Sequence, residues 1–512
     1  MASAAAPTGM VSKETLLGVV ARGTDVVEPW QVHRAKKART TSSTSRWDDG
    51  SHVTGDGFSP PVGWAPHAWR ALPVKQQPDY KCRKSVAIAR AKLSSLPPLV
   101  TAHEVMDLRA ELEEVARGER FILQGGDCAE RFDDCTSGHL ETKLQLMFQM
   151  GVVIVWGARI PVTRVGRIAG QYHKPRSKPT EKHGDTEILC YKGDAINGHD
   201  IHDREHDPDR LVQGYFHSAA TLNYIRCLLD AGFADVARYH PREWDISFVK
   251  DTVAKRKYNN IAKDISHAFE FMASCSKTPA RSEGSSKIFT SHEGLVLDFE
   301  EAMTREVEGK FYNLGAHMIW IGDRTRQLDG AHIEYFRGVS NPIGCKCGPT
   351  TDPVELVKLV STLNPDNVAG KIVLISRFGA GKVDDKLREI IHAVQAAKLN
   401  VVWQCDPMHG NTYTTAEGVK TRAFDDVLAE LLATFKAHDE CGTWLGGVHL
   451  EMTGEKHVTE CVGGSCGLKD TDLHESYESQ CDPRLNGEQS LEMAFQLVEV
   501  LKHRKLHRTG TR

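Results

Sequence analysis

Eight short apolar runs, each ending in charged or polar residues, set the strongest limit on what this chain can fold into. They are Arg120–Cys128 (RFILQGGDC), Pro161–Gly170 (PVTRVGRIAG), Lys287–Glu293 (KIFTSHE) and Ala316–Arg324 (AHMIWIGDR). The others are Pro342–Gly348 (PIGCKCG), Lys371–Arg377 (KIVLISR), Val401–His409 (VVWQCDPMH) and Gly446–Gly454 (GGVHLEMTG). Stretches of helical periodicity lie between and beside them: Ala102–Arg117, Ala219–Ala231, Pro353–Leu363, Asp384–Ala397, Phe424–His438 and Ser490–Leu501. Strands that alternate with helices build a parallel sheet. Eight of them predict an α/β fold, a (β/α)8 TIM barrel, whose chemistry sits at the C-terminal strand ends. Those ends are where Cys, Arg, Lys, His and Glu fall here.

Spacing adds an insertion. The interval from Lys346 to Arg377 is an ordinary βα unit, whereas that from Arg167 to His292 is far too long for one crossover. Helix-like Leu211–Ala231 and Tyr258–Ser274 lie within it, which predicts a helical insertion between strands 2 and 3, at about 205–285. The polar stretch Pro175–Asp209 reads as an extended surface loop. Residues 1–65 read as an N-terminal extension, either a disordered tail or a transit segment, ahead of a barrel domain over 66–505. Ala35–Arg46 (AKKARTTSSTSR) is rich in Ser, Thr and base, and Met1–Arg46 holds only Glu14, Asp25 and Glu28 as acids.

A formal charge of −4 over 512 residues gives no electrostatic case for a nucleic-acid partner. No apolar run approaches the ~18 residues of a membrane span. The 13 cysteines scatter without a CxxC pair through a chain too long to need stapling, which predicts reduced thiols in a soluble intracellular protein. The compartment would be the cytoplasm, or a plastid if residues 1–65 are a transit peptide.

Two constellations carry chemistry. Cys128, His409, Glu451 and Asp482 offer a thiolate, an imidazole and two carboxylates, a mixed set suited to Mn, Fe, Co or Zn. Each also has a plain structural alternative: an apolar filler, a loop histidine, half of an ion pair, and the start of an Asp-Pro turn. Arg167, Arg324, Lys346 and Arg377 all lie at predicted strand ends. Buried cations need anions opposite them, and phosphate and carboxylate groups are natural partners. The alternative is that each pairs with a nearby acid, Arg324 with Asp323 for example. KPRS at Lys174–Ser177 adds two cations and a hydroxyl just after strand 2, as a second phosphate site would.

These residues sit in motifs that resemble the class II, plant-type family of 3-deoxy-D-arabino-heptulosonate-7-phosphate (DAHP) synthases. The motifs are GGDCAE (Gly125–Glu130), GRIAGQYHKPRS (Gly166–Ser177), TSHE (Thr290–Glu293), WIGDRTRQLDGAH (Trp320–His332), CDPMHGNT (Cys405–Thr412), HLEMTG (His449–Gly454) and CDPRLN (Cys481–Asn486). The likeness runs from about Trp69 to Leu501. It implies a condensation of phosphoenolpyruvate with erythrose 4-phosphate and water to give DAHP and phosphate, the first step of the shikimate pathway. It makes Cys128, His409, Glu451 and Asp482 the ligands of a divalent metal, manganese, with cobalt or zinc as alternatives. Arg167, Asp323, Arg324, Lys346 and Arg377 would hold phosphoenolpyruvate, and Lys174, Ser177 and Arg324 the sugar phosphate. Lys346 is the expected proton donor, and Glu293 a candidate base for the attacking water. The family also implies a homodimer or homotetramer, with aromatic amino acids as effectors.

The chain departs from the family pattern at Asp323, where Glu is usual, at Cys345 and Cys347 around Lys346, and at His173 before KPRS. Two other readings share the motifs: a sister enzyme using an amino-sugar phosphate, and a non-catalytic barrel that binds phosphoenolpyruvate as a regulator. Cys481 precedes a proposed ligand and Cys128 is one, so a disulfide between them would block the metal.

Overall fold

The computed structural model describes residues 57–234, 249, 252–275 and 287–509. Its centre is a closed barrel of eight parallel strands. In chain order they are Phe121–Gly126, Val162–Arg167, Phe289–Glu293, Met318–Ile321, Ile343–Cys347, Ile372–Ser376, Val402–Cys405 and Leu445–Glu451. Consecutive strands pair, and the first closes on the eighth with Gly126 opposite Glu451. Every position of these strands is buried, because one face fills the barrel and the other meets the helical layer.

The floor of the barrel is sealed by helix Ala102–Ala116. Leu108, Leu112 and Val115 pack with Ile122, Phe289, Met318 and Val402 from the beginnings of the strands. A capping box fixes where this helix starts: Thr101 Oγ1 accepts from the Glu104 N–H at 3.2 Å, and Glu104 Oε2 accepts from the Thr101 N–H at 2.8 Å. Helix Pro353–Leu363 begins on Asp352, whose carboxylate accepts from the Val354 and Glu355 N–H groups, with Pro at the first helical position. Above this floor a cavity is lined by residues at the C-terminal ends of the strands, among them Arg167, Glu293 and Lys346.

Helices Asp209–Asp230 and Thr252–Cys275 occupy the interval between the second and third strands; residues 235–248, 250–251 and 276–286 within it lie outside the described residues. Helix Ser137–Ala158 was not separable by period, because Leu140, Leu144, Met147, Met150, Val153 and Ile154 are buried on more than one side.

The reading of Pro175–Asp209 as a surface loop needs correction. Its first part is a small hairpin of Thr180–His183 with Thr186–Leu189. The stretch after it turns inward, and Cys190, Tyr191, Ala195 and Ile196 are buried. The Asn197 side chain organises that turn by donating to the Cys190 and Arg204 carbonyls and accepting from the Lys192 N–H. Packing also begins ahead of residue 66: Phe58 and Trp64 are buried, and Trp64 Nε1 donates to the Glu334 carbonyl at 2.8 Å. Residues 1–56, most of the expected tail, lie outside the described residues. Among the described residues no helix is long and apolar enough to cross a membrane.

Candidate active site

Barrel closure builds the donor group. Gly126 pairs with Arg167 on one side and Glu451 on the other, so Asp127 and Cys128 leave the strand between them. Gly126 has a φ of 143°, and a Cβ there would lie 2.7 Å from the Arg167 carbonyl oxygen, so glycine alone allows this approach. Cys128 Sγ comes 3.7 Å from Asp482 Oδ2. Donor atoms of Cys128, Glu451 and Asp482 all lie within 4.8 Å of one another. His409 stands at the edge of this group, with Nε2 3.2 Å from Glu451 Oε1 and Nδ1 2.7 Å from Asp406 Oδ2. Three of the four expected ligands converge, and the fourth reaches one of them. A thiol, two carboxylates and an imidazole in this arrangement suit a divalent transition cation.

The surroundings hold the carboxylates ionised. Burial works against the Glu451 charge, but His409, Arg422, Lys174 and Arg167 together hold its carboxyl well below the usual range. Burial likewise opposes Asp482, and Lys174, Arg422 and Lys420 outweigh it. Burial and a hydrogen bond with Cys481 push the Cys128 thiol up.

The expected cations all line one cavity of about 650 Å³, together with Glu293, Cys128, His409 and Asp482. Arg167 is fixed by the Asp127 carbonyl at 2.8 Å, Glu451 Oε1 at 2.9 Å and His449 Nε2 at 2.5 Å. Lys346 is ion-paired with Asp406. Arg377 NH1 is 3.2 Å from Asp323 Oδ2, while its buried Nε has no hydrogen-bond partner. Arg324 does not pair with Asp323. It donates to Ser177 Oγ at 2.9 Å and has no acidic partner among the described residues. Asp323 pairs instead with Arg326 at 3.0 Å and Arg377. Lys174 lies among the metal donors, 2.6 Å from both Cys128 Sγ and Asp482 Oδ2.

Several contributors were missed in the sequence. Asp406 holds both Lys346 and the His409 ring, and its position three residues before His409 was the available signal. Lys420 and Arg422 come from the hairpin Thr412–Thr414 with Lys420–Arg422. Lys420 Nζ is 2.8 Å from Asp482 Oδ1, and Arg422 NH1 is 2.8 Å from Glu451 Oε2. Nothing in their local sequence marks them, since the hairpin folds back over the mouth. Behind Cys128, Asp127 is paired with Lys143 and with Arg484, which also holds Glu460 at 2.7 Å. Cys345 and Cys347 are buried between strand and helices. Burial pushes both thiols up, Cys345 to about 12, so neither acts on Lys346 as a thiolate.

A model of the class-II DAHP synthetase family matches residues 64–498. The chain is 44% identical over 468 residues to a phospho-2-dehydro-3-deoxyheptonate aldolase of Neurospora crassa, covering 88% of this chain and 97% of that one. A protein of the same name from Streptomyces coelicolor is 46% identical over 448 residues, 87% of this chain and 98% of that one. A third, from Mycolicibacterium smegmatis, is 45% identical over 441 residues, 84% of this chain and 93% of that one.

Glu430 ties the loop carrying Arg377 to the loop carrying His409. Its carboxylate accepts from the Phe378 N–H at 2.6 Å and from Asn411 Nδ2 at 2.8 Å. Burial, with the Asp406 charge adding to it, pushes this carboxyl up from 4.5 to about 7. The folded state therefore binds a proton that the unfolded chain releases. Stability linked to Glu430 is full below pH ~4.5 and is lost as pH rises to ~7, by up to ~3 kcal/mol. Urea unfolding at a series of pH values should show this fall, and Glu430→Gln should flatten it, whatever constant offset the substitution adds. An unchanged slope in the variant contradicts the assignment.

Proposed function

The chain belongs to the class-II DAHP synthetase family, and from that premise we propose how its residues perform the family's reaction. That reaction condenses phosphoenolpyruvate with erythrose 4-phosphate and water, giving DAHP and phosphate as the first step of the shikimate pathway. One observation carries the assignment of roles: of a thiol and two carboxylates within 4.8 Å of one another, Cys128 and Asp482 line the same cavity as Arg167, Arg324, Lys346 and Arg377, with Glu451 buried behind them.

Cys128, His409, Glu451 and Asp482 would hold a divalent metal, which supplies Lewis acidity toward the sugar aldehyde when bound. Arg167, Lys346 and Arg377, with Arg324 and the Asp323–Arg324 backbone, hold the phosphate and carboxylate of phosphoenolpyruvate. The partnerless Nε of Arg377 supports an anion there. Ser177 and Arg324, already hydrogen-bonded to each other, receive the sugar phosphate with Lys174. Arg176, which lines the same wall, adds a further cation.

With both substrates held, carbon 3 of the enol phosphate attacks the aldehyde carbon, and the new alkoxide takes a proton. Lys346 is suited to give it: burial lowers its pKa, and the ion pair with Asp406 only partly offsets this. Water adds to the cationic carbon 2 and passes a proton to Glu293. That carboxylate has a buried, partnerless Oε1 on the cavity wall, and burial raises its pKa toward that of a useful base. The hemiketal then expels phosphate. Electrostatic preorganisation and fixed attack geometry supply most of the acceleration in such a design.

The finer points rest on family resemblance and on residues 1–65. They are manganese as the metal, a homodimer or homotetramer, aromatic amino acids as effectors, and a cytoplasmic or plastid location.

Chelation should abolish turnover, and manganese or cobalt should restore it. His409→Ala should lose bound metal and activity together, read by elemental analysis beside phosphate release. Full activity in chelator without bound metal contradicts the four-ligand set.

Arg377→Ala should weaken phosphoenolpyruvate far more than the sugar phosphate. A lost charge-assisted hydrogen bond is worth ~1.5–3 kcal/mol, or roughly tenfold to over a hundredfold in affinity. Unchanged phosphoenolpyruvate binding would leave Arg377 as merely the partner of Asp323.

Peroxide treatment of metal-stripped protein should join Cys128 to Cys481. Two thiols give up two electrons and two protons, and peroxide is reduced to water. The Asp482 N–H, one residue after Cys481, donates to Cys128 Sγ at 3.4 Å, which supports this pairing. Peptide mapping that finds both thiols free after inactivation contradicts it.

A further inference from the structure

Lys174 occupies an unusual place for a residue that should meet a substrate phosphate. Its Nζ is 2.6 Å from Cys128 Sγ, 2.6 Å from Asp482 Oδ2 and 3.9 Å from Glu451 Oε1. Those are three of the four atoms assigned above to a metal. A transition cation bonds thiolate sulfur at ~2.3 Å and carboxylate oxygen at ~2.0–2.2 Å. A cation bonded to Cys128 and Asp482 would crowd the ammonium, which is already 2.6 Å from both. An ammonium and a divalent ion cannot hold that position together, because their charges repel and the donor atoms are common to both.

We propose that Lys174 is a two-position residue: its ammonium holds the cation position among Cys128, Glu451 and Asp482, and metal entry drives it to the sugar-phosphate face of the cavity. This rests on the metal-ligand reading given above and adds an order of events to it.

The side chain has the means to move. The Lys174 backbone is pinned, its N–H donating to the Lys192 carbonyl at 2.7 Å, but the flexible four-carbon stem lets the head swing. Acceptors wait on the cavity side. Glu293 Oε1 is buried without a hydrogen-bond partner, and Lys174 is the cation that acts on Glu293 most strongly. Ser177 and Arg324, joined at 2.9 Å, mark where a phosphate would add a second anion. The donor group therefore discriminates between a cation the chain supplies and one from solution.

Two consequences follow from mass action. Metal affinity is reduced by the fraction of time that Lys174 fills the position. Metal and sugar phosphate must bind with positive linkage, because the metal releases the cation that the phosphate uses, and linkage is reciprocal. Metal loading then precedes productive binding of the sugar phosphate.

The test uses erythritol 4-phosphate, which carries the phosphate and lacks the aldehyde. Its binding to the full chain is titrated calorimetrically with and without saturating manganese, for wild type and Lys174→Gln. Wild type should bind the probe at least about fivefold tighter with manganese, the lower end of ordinary linkage. Lys174→Gln should bind manganese tighter than wild type and show a linkage factor near one. A linkage that persists in the variant, or manganese affinity that does not rise, overturns the proposal. A second measurement needs no substitution: acylation of Lys174 by an activated acetate ester, read by mass spectrometry, should increase when manganese is added to wild type. Equal labelling also overturns it. Failure of wild type to bind stoichiometric manganese overturns the metal-ligand reading, and this inference with it, which separates that failure from the others.

Discussion

Glu451 ends the eighth strand with no exposed surface, and its charge survives there only because cations surround it. Arg167 reaches one carboxylate oxygen at 2.9 Å and Arg422 the other at 2.8 Å, with His409 at 3.2 Å. A lone buried carboxylate would cost several kcal/mol, so these partners are obligatory. Each is fixed in turn by a different element: the second strand, the hairpin after the seventh strand, and the loop that joins the seventh strand to that hairpin. The mouth of the barrel is thus a connected lattice of charges, and its geometry follows from satisfying each one. Removing a single member would leave the others buried with one counter-charge fewer.

That lattice also decides what the cavity can accept. Arg167 and Lys346 are also paired with Glu451 and Asp406, which fixes where they meet the ligand. Arg324 has no acidic partner among the described residues, and Arg377 keeps an unused Nε, so they have the most capacity left for a ligand. Glu293 offers the complementary feature, a buried acceptor with no donor. An anionic, phosphate-bearing substrate answers the first pair, and water or a mobile ammonium answers the second.

Most of the barrel was readable because its strands are buried on both faces and interrupted by polar ends. The runs from Arg120 to Gly454 mark all eight strands, and Pro353–Leu363 matches its helix to the residue. Ser137–Ala158 was opaque for the opposite reason, being buried on nearly every side from Leu140 onward. The site was half legible. Cys128, Glu451 and the strand-end cations are placed by register, which sequence spacing approximates. Asp406 and Arg422 act through tertiary folding of loops, and Lys420 sits on a partly exposed hairpin, so no periodicity points to them. The pairing of Asp323 with Arg326 and Arg377, where Arg324 was the sequence neighbour, shows the same limit. The adjacency of Asp323 and Arg324 in WIGDR cannot say which way a side chain turns.

The central claim is that Cys128, His409, Glu451 and Asp482 form one metal site facing the phosphoenolpyruvate cations. Anomalous diffraction at the manganese absorption edge, from crystals grown with manganese and phosphoenolpyruvate, tests it most directly. The account predicts one strong peak within bonding distance of all four residues, with the substrate carboxylate and phosphate on Arg167, Lys346 and Arg377. A peak elsewhere, or a substrate held away from those cations, would contradict it.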